Sequence, residues 1–146
     1  MGTLKWQPGD RLYVDTNLFI YAVEQVMPFA PQVQTLLHAA DRGDVTLITS
    51  LLTLAETLVM PYRQENGVLI SAYRELFTFP PAGLVVVPPD VAILEQAARL
   101  RGMTPGLYLP DAIHVATAQS EHCDLFVTND VRLKAAPGTT VTLLSA

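Results

Sequence analysis

A chain of 146 residues has room for one domain with a real core and not for two. Hydrophobic residues make up 50% against 16% charged, and mean hydropathy is +0.30, so some apolar surplus is expected on a partner surface, with a homodimer as the first expectation. The net charge of −5 excludes a simple basic phosphate-binding domain, so any nucleic acid would need a bound cation or a local basic strip.

The chain begins with Met1 to Asp10, an N-terminal extension with no apolar run of signal-peptide length. Arg11 to Asp15 (RLYVD) is a short strand ending on a carboxylate, and Thr16 and Asn17 offer caps for a helix through Val23. Pro31 to Gly43 reads as a helix with Pro in its first turn and Gly past its end. Val45 to Thr49 is a second strand, and Ser50 opens a helix expected to end or kink at Pro61. Val68 to Phe79 is a further helix; Pro80, Pro81 and Gly83 break it before the strand Leu84 to Val87.

A helix follows from Asp90 to Arg101, then a loop through Gly102, Pro105 and Gly106 that leads to Pro110 and Asp111. The helix they open runs to about His122. Leu125 to Thr128 is the next strand, Asn129 and Asp130 make a turn, and Val141 to Leu144 is the last strand. No repeat, linker or low-complexity segment divides residues 1–146, which read as a single domain. Cys123 is the only cysteine, so no intrachain disulfide is possible, and no apolar run approaches the roughly 20 residues of a membrane helix. The expected location is cytoplasmic.

Short apolar strands separated by helices indicate a parallel sheet covered on both faces, an α/β fold in which ligands bind beyond the carboxyl ends of the strands. Four acids lie at such places: Asp15 and Asp130 after strands, Glu56 in the helix that follows one, and Asp111 at a helix start. Each has an ordinary reading on its own. Asp15 and Asp130 suit a cap or turn, Thr53 and Glu56 a capping box, and Asp111 the positive end of a helix dipole. Together they pose a charge problem, because two carboxylates about 4 Å apart repel by roughly 4 kcal/mol at an effective dielectric near 20. Protons or a cation would relieve it, a hard cation most simply; all-oxygen ligands suit Mg²⁺ or Mn²⁺, whereas Cys123, His38, His114 and His122 make no zinc set. His114, one turn from Asp111, reads as a packed or hydrogen-bonded helix residue; Arg132 and Lys134 read as a solvated pair close to Asp130.

The ordered segments YVDTN (13–17), SLLTLAE (50–56), LPDAIHVATA (109–118) and VTND (127–130) resemble the PIN domain, and more narrowly the VapC family of toxin ribonucleases. The resemblance implies a three-layer α/β/α sandwich around a parallel sheet of four or five strands. It also implies RNA cleavage dependent on Mg²⁺ or Mn²⁺, with Asp15, Glu56, Asp111 and Asp130 as catalytic and metal-binding acids. Asn17 and Thr128 fall where such proteins have small polar groups that orient an acid or a metal-bound water, although either also suits a turn or cap. A small antitoxin protein is the implied partner, presenting Arg or Lys to the acids, with RNA as the implied substrate. The alternative is a non-catalytic metal-binding domain, receiver-like or scaffold; against a receiver, Asp15 has no adjacent acid and no Lys follows Thr128 closely at the strand end. Metal-dependent phosphatase chemistry would want an acid where Asn17 stands.

Overall fold

The computed structural model describes residues 4–144, so the first three residues of the expected extension lie outside the described residues. Five parallel strands form one sheet in the order β3-β2-β1-β4-β5. They are β1 (Arg11–Val14), β2 (Thr46–Ser50), β3 (Leu84–Val87), β4 (Leu125–Thr128) and β5 (Val141–Leu143). The chain builds outward from β1 through β2 to β3, then returns to place β4 on the other side of β1. The point where strand order reverses therefore lies between β1 and β4, and ligand sites in open parallel sheets favour that crevice.

Alternation along the strands explains the two helical layers. Leu12, Val14, Leu47, Leu84 and Val127 pack on one face, in a core shared with α1 (Thr16–Val23), α2 (Ala30–Asp41) and α4 (Gly67–Thr78). α3 (Leu52–Arg63) adds the half-buried Leu54 and Leu58 to the same core. Tyr13, Ile48 and Phe126 point the other way, into a second core with α5 (Val91–Met103) and α6 (Leu109–Ser120). Both faces of the central strands are thus apolar, and the sequence shows no polar alternation because neither face meets water. The result is the three-layer α/β/α sandwich.

The element ends depart from expectation where tertiary contacts outweigh local signals. β2 extends to Ser50 because Ser50 pairs in register with Val87. α3 runs past Pro61 to Arg63; the buried Pro61 lies in the last turn, where its missing N–H removes a single bond and its carbonyl accepts from Asn66 N. The capping box expected of Thr53 and Glu56 does not form, because α3 starts at Leu52 and Thr53 is buried, bonding to Thr49 instead. Among the residues of the extension that the structure describes, Leu4 and Trp6 pack against the first core, and Gly9 N bonds to Asp44 O at 2.7 Å.

Gly83 joins β3 to that core at very close range. Its φ of +84° belongs to the left-handed region, and a Cβ there would sit 2.4 Å from the backbone oxygen of Ala40. Neither strain has a flexible side chain to absorb it. Gly83→Ala is expected to cost about 2–4 kcal/mol, read as a fall in the urea midpoint at unchanged m value. An unchanged midpoint would show that β3 and α2 separate freely.

Candidate active site

Asp15 ends the central strand and caps α1, and its side chain is only 9% exposed. A carboxylate so placed needs donors. Oδ1 accepts from Thr16 N at 2.8 Å and Oδ2 from the Thr128 hydroxyl at 2.6 Å, across the reversal point of the sheet. Thr128 Oγ1 in turn accepts from Asp130 N at 3.0 Å, so one hydroxyl ties the end of β4 to both acids. Each Asp15 oxygen has accepted one bond and keeps further lone-pair capacity.

Asp130 caps the short 3₁₀ segment Val131–Ala135. There Arg132 folds back on it: Nε lies 3.1 Å from both carboxylate oxygens and Nη2 lies 2.5 Å from Oδ2. The same Nη2 reaches Asp111 Oδ2 at 3.6 Å, and the guanidinium lies 5.2 Å from the centre of the Tyr108 ring. Arg132 is therefore no solvated bystander; the turn geometry sends its side chain back to the acids while Lys134 remains exposed. Hydrogen bonding to Arg132 holds the Asp130 carboxyl below its usual range. Asp111 moves the other way: burial raises it, Arg132 partly offsets the rise, and the charges of Asp15 and Asp130 add to it. Thr128, shared by Asp15 and Asp130, and Arg132, shared by Asp130 and Asp111, join three carboxylates on one rim.

Glu56, one turn into α3, joins them from the side of β2. Its Oε1 takes both the Thr16 hydroxyl at 2.9 Å and His114 Nε2 at 2.5 Å. His114 is 2% exposed and stands on α6 one turn after Asp111, with Nδ1 2.6 Å from the Tyr13 hydroxyl. Ser50 N donates to that hydroxyl at 3.1 Å. With a neutral imidazole the directions close: Ser50 N–H to Tyr13 oxygen, Tyr13 O–H to Nδ1, and Nε2–H to Glu56. Burial alone would raise the Glu56 carboxyl, but its hydrogen bonds from His114 and Thr16 outweigh that and leave it below its ordinary value. Full burial pushes the Tyr13 phenol well up, which keeps it a neutral donor.

All four sequence-predicted acids lie on the rim formed by the carboxyl ends of β1, β2 and β4 and by the start of α6. Among the described residues, however, no three His, Cys, Asp or Glu side chains converge on one metal-sized point. The acids are instead divided between the Thr128-bound Asp15, the His114-bound Glu56, and the Asp111–Arg132–Asp130 bridge. Asn17 is exposed on α1 and contacts Asn129, 3.4 Å away, rather than any of the four acids. Tyr13, Thr16 and His114 complete the network without having been singled out as a unit. Tyr13 and Thr16 flank Asp15 directly, and only the fold shows that both turn inward. A cavity of about 370 Å³ opens beside Asp111 and Arg132, bounded by the Thr104–Tyr108 loop.

Residues 12–138 match the sequence profile of the PIN domain, and the chain belongs to that family. Solved structures with the same fold include VapBC2 from Rickettsia felis bound to a DNA fragment from their promoter, at 18% identity and a TM-score of 0.69; the match covers 92% of this chain and 99% of that one. VapC20 from Mycobacterium tuberculosis, described as a sarcin–ricin loop cleaving toxin, shares 17% identity at a TM-score of 0.69, covering 86% of this chain and 95% of that one. FitAcB from Neisseria gonorrhoeae shares 21% identity at a TM-score of 0.65, covering 89% and 95% respectively. No curated protein sequence matches the chain.

Removing His114 leaves the half-buried Glu56 carboxylate short of a donor and opens space in the second core. His114→Ala is expected to cost about 3 kcal/mol in urea unfolding at pH 7. Because the folded Glu56 pKa is depressed, its contribution is full above the unfolded glutamate value, about 4.3, and is lost as pH falls through the lower folded value. Glu56→Gln should flatten that acid limb of the stability curve. An unaltered limb would show that the pair contributes nothing to acid sensitivity.

Proposed function

We propose that the chain is a metal-dependent endoribonuclease, the toxin of a toxin–antitoxin pair, with Asp15 and Asp111 as the main holders of Mg²⁺ or Mn²⁺. The observation that carries this reading is the gathering of Asp15, Asp111 and Asp130 beside the reversal point of a parallel sheet in a PIN-family chain. The donor set fits such an ion. It is all oxygen, and Mg²⁺ typically takes one or two carboxylates and keeps its remaining positions for water and substrate phosphate, so a closed protein cage is not required. When bound, the ion would lower the pKa of a coordinated water and offset charge on the leaving oxygen of an RNA phosphodiester.

The chain's own residues supply position. Thr128 and the Thr16 N–H fix both oxygens of Asp15 and so define where its remaining lone pairs lie. Among the described residues, Asp111 has no hydrogen bond competing for its oxygens beyond the long ion pair to Arg132, which makes it the acid most available to an added cation. Glu56 commits Oε1 to His114 and Thr16, leaving Oε2 to serve as a ligand or to hold a water. Asp130 is the acid most strongly engaged by Arg132, and its part in metal binding requires that pair to open.

A basic antitoxin segment is the partner that complements an acidic rim on a chain of net charge −5. The resemblance to toxin–antitoxin complexes is in keeping with such a partner. Exposed apolar side chains along α3 and at the start of α4, Val59, Met60, Tyr62 and Val68, offer surface for it or for a second copy of the chain. A non-catalytic scaffold domain is the competing reading, favoured by the contact of Arg132, which already offsets the charge of Asp111 and Asp130 without a metal.

Labelled single-stranded RNA incubated with purified protein and Mn²⁺ should be cut, and EDTA should abolish cutting. Asp15→Asn, which keeps the size and part of the hydrogen bonding, is expected to reduce the rate by about 100-fold or more. Metal-dependent cleavage that survives Asp15→Asn in a folded preparation would remove Asp15 from the mechanism. Absence of cleavage with every RNA tried would favour the non-catalytic reading.

A further inference from the structure

We propose that Arg132 is the chain's own counter-ion for the acidic rim and competes with a divalent cation for Asp111 and Asp130. The inference rests on the reading of this rim as a metal site and adds a regulator to it. The guanidinium makes three close contacts with the two oxygens of Asp130, at 3.1, 3.1 and 2.5 Å, and reaches Asp111 at 3.6 Å. It thus stands between the two acids that no other basic side chain bridges among the described residues. One positive charge against two negative ones leaves the rim acidic, whereas a divalent ion would neutralise the pair completely.

The two cations cannot both stay at contact distance. A divalent ion held by Asp111 and Asp130 would face the guanidinium at a range where like charges still repel strongly despite partial solvent screening. Arg132 has room to leave. Its side chain is 49% exposed and is carried by a short 3₁₀ segment at the edge of the fold. Its other support is the face of Tyr108, itself exposed beside the cavity, so the guanidinium can exchange the acids for solvent without unpacking a core residue. Lys134, on the same segment and exposed, has no acid partner among the described residues and is the internal control.

The test is direct Mn²⁺ binding, by calorimetry and by loss of the free-ion electron paramagnetic resonance signal, with no RNA present. Arg132→Ala is expected to bind Mn²⁺ about ten-fold more tightly than the unaltered chain, since a competing charge at hydrogen-bond range has gone. Lys134→Ala should leave the affinity unchanged. In EDTA, Arg132→Ala should lower Tm by uncovering the Asp111–Asp130 repulsion, and Mn²⁺ should restore it. Arg132→Gln, which keeps hydrogen bonding without charge, provides a second variant and should shift affinity in the same direction. Equal or weaker Mn²⁺ binding by both folded variants overturns the counter-ion role while leaving metal-dependent RNA cleavage standing. Tighter binding without RNA cleavage supports the counter-ion and sinks the nuclease reading. No Mn²⁺ binding by any variant overturns both.

Discussion

Negative charge gathered where the central strands end is the constraint around which the rest of this structure is arranged. Four carboxylates share one rim, and they are stabilised in three different ways. Asp15, the most buried, takes a backbone N–H and the hydroxyl of Thr128. Glu56 takes a histidine and a threonine hydroxyl. Asp111 and Asp130 share a guanidinium. Only the last arrangement uses a formal positive charge in an exposed position, and it is the one a solvent cation can most readily replace.

The two apolar cores make this arrangement possible. Tyr13 packs against Phe126, with ring centres 4.8 Å apart, on the α5–α6 side of the sheet. That stacking fixes the phenol oxygen at the end of β2, where Ser50 N and His114 meet it. The core therefore reaches the site through one side chain. Val14 and Val127, on the other face, hold β1 and β4 in register so that Thr128 stands within 2.6 Å of Asp15. Packing and chemistry are joined at the ends of the two middle strands.

Much of the fold was legible along the chain. Short apolar runs such as VTLIT and LFVT, each followed by helical spacing, define a parallel sheet with two covered faces, and turn residues such as Gly83 mark where strands begin. The boundaries that moved did so for nonlocal reasons: Ser50 became strand by pairing with Val87, and Pro61 stayed within its helix because its last turn could lose one bond. The four acids were also legible, as residues at strand ends and helix starts. Their partners were not. Nothing in the spacing of Tyr13, Glu56 and His114 announces a hydrogen-bonded chain, since residues 13 and 114 meet only after the sheet and α6 have packed.

By itself the sequence determined the α/β class and the order of elements, because these follow from local apolar periodicity; its ordered motifs carried the resemblance to the PIN domain, and it set four acids at strand ends and helix starts. Tertiary structure alone decided how the acids are apportioned. Arg132, which reads as a solvated surface residue, lies between Asp111 and Asp130, and His114, which reads as a helix residue near the site, supports Glu56. The physical reason is range: a strand or helix is specified over a few neighbours, whereas the partner of a charge is whichever group the completed fold brings within about 3 Å.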